Sequence, residues 1–165
     1  MSESYIEYMV ARKTPGIYLF LKYLLIGLTA VAVFAMFLFG IWAFLVAVAL
    51  GVGAYFLSIY IDVEYEYLYL DKEITVDKVL HKQKRKRVAT YSVDKIEIMA
   101  PIKSYHLDNY NHRQDKVTDL SSGIENMPDT RYVFYYDGNQ KIIFEPNEAF
   151  VKIVKNVAPR KVFMD

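Results

Sequence analysis

The chain contains no cysteine, which excludes a disulfide framework and thiolate metal sites and is compatible with a reducing cytosolic setting for any soluble part. Glycine is scarce as well. Of seven, only Gly123 and Gly138 follow Gly53, so no glycine-rich phosphate loop is available. There is no nucleophile elbow and no metalloprotease helix motif. The formal net charge is only +1 over 165 residues. That balance gives no global argument for nucleic acid or acidic partners, so any electrostatic argument has to be local. The most informative shortage is charge itself. Between Lys22 and Asp62 there is not one charged residue.

One membrane-spanning helix needs about 20 apolar residues at roughly 1.5 Å each. The run Tyr23 to Ile61 is long enough for two spans and a tight turn. It starts too late and is too long for a cleaved signal peptide. The expectation is a helical hairpin over residues 15–61. Thr14-Pro15 reads as an N-cap and first helical position. A first helix then runs to about Phe39, Gly40 breaks it, and a second runs from Ile41 to about Tyr60. Lys22 snorkels to the headgroups. Tyr18, Tyr23, Tyr55 and Tyr60 lie near one end and Trp42 near the other, as interfacial aromatics do. Arg12, Lys13 and Lys22 flank the first span while the turn has no basic residue, which places both termini in the cytoplasm. The chain is thus expected to be a multi-pass protein of the cytoplasmic membrane. A hairpin dipping into one leaflet is the alternative geometry.

Ala43, Ala47 and Gly51 recur every four residues on the second helix. Such a stripe permits close helix approach. It either packs the two hairpin helices together or offers a surface to a second copy or a partner subunit. Ahead of the hairpin, residues 1–14 form a cytoplasmic segment. Tyr5 to Val10 within it reads either as a short surface helix or as a strand or coil docked on the soluble domain.

From Asp62 to Asp165 the pattern is that of a folded β domain. Tyr65, Tyr67 and Tyr69 alternate with Glu64, Glu66 and Leu68, the period of a strand. Glu64 and Glu66 share a strand face, with Lys72 and the basic run beyond it as available ion partners. Asp71-Lys72-Glu73 is a turn and Ile74 to Val79 a second strand. Val88 to Tyr91 and Ile96 to Met99 follow, stopped by Pro101. Asp137-Gly138-Asn139 between Tyr132–Tyr136 and Lys141–Glu145 is a strong hairpin signal. Residues 102–131 read as a long loop with one short strand around Lys116 to Leu120; such loops are often functional or mobile. Phe150, Ile153, Val154 and Val157 form an i, i+3, i+4, i+7 stripe that predicts an amphipathic C-terminal helix, ended by Pro159. That stripe must be buried on a sheet or in the open end of a barrel.

The order of these parts carries a resemblance. Two membrane helices, then "VEYEYLYLDKEITVDKV", a basic turn, "YSVDKIEIMAP", a hairpin and a short final helix resemble a membrane-anchored bacterial domain of the pleckstrin-homology (PH) type. The chain, ending "FEPNEAFVKIVKNVAPRKVF", is also similar to a family of small, uncharacterised membrane proteins of Gram-positive bacteria. The resemblance implies an α+β membrane protein. Its hairpin is followed by an antiparallel sheet or partly open barrel of about seven strands, capped by the C-terminal helix. It implies no catalytic residues.

Three sets of residues are candidates for function. Lys82, Lys84, Arg85, Lys86 and Arg87 are the densest charge cluster, read as a basic turn. Close after a membrane span it suits anionic headgroups, at roughly 1 kcal/mol per basic residue; equally, it suits a solvated turn. Only Tyr91 is near it, whereas a nucleic-acid patch needs several stacking aromatics, so no nucleic acid is expected. Ala43, Ala47 and Gly51 are the helix-packing candidates. His106, Asp108, His112 and Asp115 carry metal-binding chemistry, but their spacing matches no helical ligand pair, so the expectation is no metal and no cofactor. The function expected is a non-enzymatic, membrane-anchored interaction module at the inner face of the membrane, binding a protein partner or anionic lipid. An accessory subunit of a transport or secretion complex is one alternative. An enzyme working through residues 106–115 is the other.

Overall fold

A computed structural model describes residues 5–126 and 128–165. Positions 1–4 of the expected N-terminal segment and position 127 of the long loop lie outside the described residues. The chain forms two compact units.

One unit comprises residues 14–63 with 80–84. Its helices are α1 (Gly16–Phe39) and α2 (Ile41–Ile61). Both are long and apolar enough to cross a membrane. They meet at Gly40, whose φ of +60 and ψ of −132 are open to glycine and rarely to other residues. Thr14 does not cap α1 as expected. Pro15 holds the cap position without a side-chain bond, and the Thr14 hydroxyl instead donates to the Ile61 carbonyl at 3.0 Å. The start of α1 is thereby tied to the end of α2. Thr29 and Ser58 return their hydroxyls to carbonyls four residues back, so neither leaves an unsatisfied donor in an apolar setting. The buried residues of the pair are small: Ala32, Ala43, Ala47 and Ala54. The large side chains point outward, Phe37 with 88% of its surface exposed and Trp42 with 75%.

The other unit comprises residues 5–13, 64–79 and 85–165. Its first sheet has the order β1 (Ile6–Ala11), β2 (Val63–Leu70), β3 (Glu73–Leu80) and β4 (Lys84–Ser92). The N-terminal segment is thus a strand. It pairs antiparallel with β2, Tyr8 opposite Tyr67 and Met9 opposite Glu66. The second sheet contains β5 (Ile96–Pro101), β6 (Lys116–Asp119), β7 (Tyr132–Tyr136) and β8 (Gln140–Phe144) in the order β5-β7-β8-β6. β6 runs parallel to β8, so this sheet is mixed where an antiparallel one was expected. The connection from β5 is long enough to place β6 at the far edge, which a hairpin turn could not do. The β7–β8 turn carries Asp137 and Gly138 at positive φ, as the Asp-Gly signal requires.

The final helix is α3 (Glu148–Val157), capped by Asn147 Oδ1, which accepts from the Phe150 amide at 2.8 Å. Its buried residues are Phe150, Val151 and Val154, while Val157 is 38% exposed. The buried stripe is therefore rotated from the expected one, because the sheet beneath sets which face is covered. Phe150 meets Tyr67 and Tyr69 of the first sheet and Phe144 of the second, edge to face at 6.2–6.4 Å. Phe134 and Tyr91 extend this aromatic cluster between the sheets. The residues of 102–115 are not a free loop. Leu107, with Ile102 and Tyr110 beside it, packs on Ile98, Ala100, Val133 and Tyr135 to form a second small core. Tyr132–Tyr136 can therefore be apolar at consecutive positions.

Candidate functional site: the basic strand edge

The basic run is divided between turn and strand. His81 and Lys82 occupy the β3–β4 turn, both at positive φ, while Lys84, Arg85, Lys86 and Arg87 belong to β4. This corrects the reading of the whole run as a turn. A sheet edge is a place where charged side chains are favoured, because they blunt pairing with other strands. All five basic residues are exposed.

The tip of the turn belongs with the helices. The His81 amide donates to the Asp62 carbonyl at 2.9 Å, and His81 Nδ1 lies 3.2 Å from Asp62 Oδ2. Asp62 is the residue that follows α2. Lys82 and Lys84 therefore flank the end of an apolar helix. Among the described residues, neither they nor Lys86 form an ion pair.

The two arginines are placed differently. Arg87 Nε is 3.5 Å from Asp77 Oδ1 on β3, and Arg85 Nη2 is 3.1 Å from Glu66 Oε1 on β2. The basic run was one of the partners open to Glu66; Lys72 was the other. Glu66 is buried, and a hydrogen bond with the Glu7 carboxyl, together with burial, pushes its pKa up to about 7. Glu7 is held below the usual carboxylate range, first by that same bond and then by the Tyr5 hydroxyl, which donates to its Oε2 at 2.7 Å. The sequence had no signal for Glu7, because only the β1–β2 pairing brings it here.

Two four-stranded sheets around an aromatic core, closed by a C-terminal helix, match the fold that the resemblance implied. A family described as a bacterial PH-like domain (DUF6106) matches residues 2–164. The chain belongs to this family. No curated protein and no solved structure matches it.

A PH-like domain is of a kind that serves as a protein- or lipid-interaction module. In this PH-like chain the remaining candidates fall into separate places. Ala43 and Ala47 are buried within the helix pair, and a Cβ added at Gly51 would stand 3.6 Å from Thr29 Cγ2 of α1. The stripe thus faces the neighbouring helix of the same hairpin. His106 is stacked on Phe163 at 3.8 Å between centroids and lies beside Tyr105, with Asp165 at 3.9 Å. Asp108 ends the short 3-10 turn Tyr105–Leu107 and is exposed, as is His112. Asp115 is paired with Arg113 at 3.2 Å. No group of three or more metal-ligating side chains occurs among the described residues.

Sequence reasoning also passed over two arginines. Arg113 bridges Glu97 at 2.7 Å, Asp115 and the Gly138 carbonyl, and covers the Tyr110 and Tyr135 rings. It pins the 102–115 segment to the second sheet and holds Glu97 well below the usual carboxylate range. Arg131 does the same for Asp129, with two hydrogen bonds of 2.9 and 2.8 Å.

Proposed function

We propose that this PH-like chain is a non-enzymatic interaction module anchored in the bacterial cytoplasmic membrane. Residues 15–61 are the membrane hairpin, and residues 62–165 with the N-terminal strand form the cytoplasmic part. Both termini are cytoplasmic, and the edge Lys82, Lys84, Arg85, Lys86 and Arg87 contacts anionic headgroups. The observation that carries this reading is the pair of His81–Asp62 contacts, which hold the tip of the basic turn at the end of α2. If α2 ends at the bilayer surface, Lys82 and Lys84 stand at headgroup level. Three lysines without acidic partners then have anionic lipid as their natural counter-charge. The non-enzymatic reading is supported by the structural use of His106 and Asp115 in stacking and ion pairing.

Two experiments test it. Full-length protein in detergent is titrated with short-chain phosphatidylglycerol and phosphatidylcholine. The wild type should prefer phosphatidylglycerol in a salt-sensitive way, and Lys82→Ala/Lys84→Ala should weaken that preference by about tenfold or more. An unchanged preference returns the lysines to plain solvation. Orientation is read by single-cysteine labelling, clean in a chain that has no cysteine of its own. Asn139→Cys should react only after permeabilisation, and labelling in intact cells would reverse the topology.

A second reading concerns protein partners. A groove of about 420 Å³ runs between the helices near their turn, lined among others by Ala32, Ala35, Trp42 and Ala43. Small residues at its floor would admit another helix, from a second copy or a partner subunit. Ala35→Trp should abolish that association, detected by crosslinking in native membranes.

A further inference from the structure

Among the described residues of the first sheet, Glu66 is the one buried acid, its side chain only 5% exposed. Every other strand of the sheet presents a charged or titratable group to it. Glu7 comes from β1, diagonal to Glu66 in the register, and accepts from the Tyr5 hydroxyl. Asp77 comes from β3, itself held by Arg87. Arg85 comes from β4, and Glu64 lies on the same face of β2. The β1–β2 register sets Glu7 and Glu66 diagonally on one face of the sheet, and two carboxylates so placed, one of them buried, repel, which favours a proton held between them. The Arg85 contact is poorly aligned as well. Nη2 is within 3.1 Å of Glu66 Oε1, yet that oxygen has no hydrogen-bond partner among the described residues.

Arg85 is 62% exposed and follows Lys84 directly in the chain. Its guanidinium therefore has two anions within its choice: the carboxyl pair of the sheet and the phosphate of a lipid headgroup. With the proton on the pair, the sheet offers Arg85 one negative charge, and Glu66 can donate to Glu7. Once the proton leaves to solvent, the sheet offers two, and the hold on Arg85 tightens. We infer that the Glu7–Glu66 carboxyl pair is a proton-operated latch on Arg85, releasing it to anionic headgroups when the cytoplasmic side acidifies and retracting it when that side turns alkaline. This rests on the lipid reading above. The device would couple membrane contact of the domain to cytoplasmic pH.

Full-length protein in detergent, titrated with short-chain phosphatidylglycerol at pH 8.5 and 5.5, tests the latch. Binding should tighten about fivefold at the lower pH, the worth of one basic group at an anionic surface. Glu66→Gln should bind like the acid form at both values, and Arg85→Gln should lose the pH dependence. His81 lies in the same turn, so a pH dependence that survives in Glu66→Gln overturns the latch. A second measurement does not depend on the variants folding. Carboxyl-carbon NMR of wild-type protein should show Glu66 titrating near neutrality, and a midpoint in the ordinary carboxylate range overturns the proposal. The two readings fail separately. Phosphatidylglycerol binding that needs Lys82 and Lys84 but is flat with pH removes the latch alone. Absent binding removes both.

Discussion

The helix unit and the sheet unit treat the same kind of residue in opposite ways. Phe37 of α1 exposes 88% of its surface, whereas Phe144 of β8 exposes none. Within the helices the buried positions are alanines; within the sheets they are aromatic rings packed edge to face. In the sheet unit water drives large apolar groups inward, and their burial supplies the stability. Two helices set in lipid would lack such a drive, because lipid is as apolar as the side chains, and close approach of small residues would do the packing. The outward aromatics of α1 and α2 are what the proposed membrane setting requires.

The comparison can be tested through stability, from the largest effect downward. Phe144→Ala removes a fully buried ring from the centre of the sheet unit and should cost about 3–5 kcal/mol in denaturant unfolding. The same change at Phe37 should cost less than about 0.5 kcal/mol in detergent. A similar loss at both would break the contrast between the units.

Glu66→Gln comes next. Folded Glu66 keeps its proton to about pH 7, while an unfolded glutamate loses it near pH 4.3. Between those values the folded state binds more protons, so stability falls as pH rises, and above about 7 the cost is complete. Glutamine cannot ionise and still donates to Glu7. The variant should therefore be more stable than wild type at pH 8, by up to about 3–4 kcal/mol, and equal to it near pH 4. A stability gap that does not change with pH would remove Glu66 as the titrating group.

Tyr67→Phe follows. The Tyr67 hydroxyl donates to the Leu120 carbonyl at 2.5 Å and accepts from the Glu145 amide at 3.2 Å, and burial raises its pKa. Its loss leaves both backbone groups short of a partner and should cost about 1–3 kcal/mol, read from thermal unfolding. Smallest is Lys82→Ala/Lys84→Ala, expected to move stability by less than about 0.5 kcal/mol while weakening lipid binding. A large stability loss there would mean that the edge lysines support the fold rather than face outward.

Much of the fold was legible in one dimension. The extents of α1 and α2 follow from Pro15, an uncharged run and one glycine. Strands β2, β3, β7 and β8 follow from alternation and from the Asp-Gly turn. Each of these signals is local, set by neighbours a few residues away. The sequence misled wherever the deciding contact was distant. Thr14 looked like a cap, but its hydroxyl serves Ile61, far along the chain. Residues 102–131 looked like a loop because their apolar residues are sparse, yet Leu107 and Tyr110 suffice to cover the back of the second sheet. The basic run looked like a turn because lysine and arginine are poor strand formers in isolation, and pairing with β3 overrides that preference. Within the site, the lysines were visible as a charge cluster. Glu7 was not, since nothing in its surroundings marks it until β1 lies beside β2.

Sequence by itself determined the chain's two kinds of region: an uncharged stretch long enough for paired apolar helices, and a β domain closed by a helix. Composition and periodicity suffice for that, because the hydrophobic effect acts on each segment wherever it sits. Only the tertiary structure decided which charges meet. Strand pairing brought Glu7 and Arg85 to Glu66, and it left Lys82, Lys84 and Lys86 without acidic partners among the described residues. Electrostatic partners are chosen by distance in space, and that distance is set by strand register and sheet order, which no local pattern encodes.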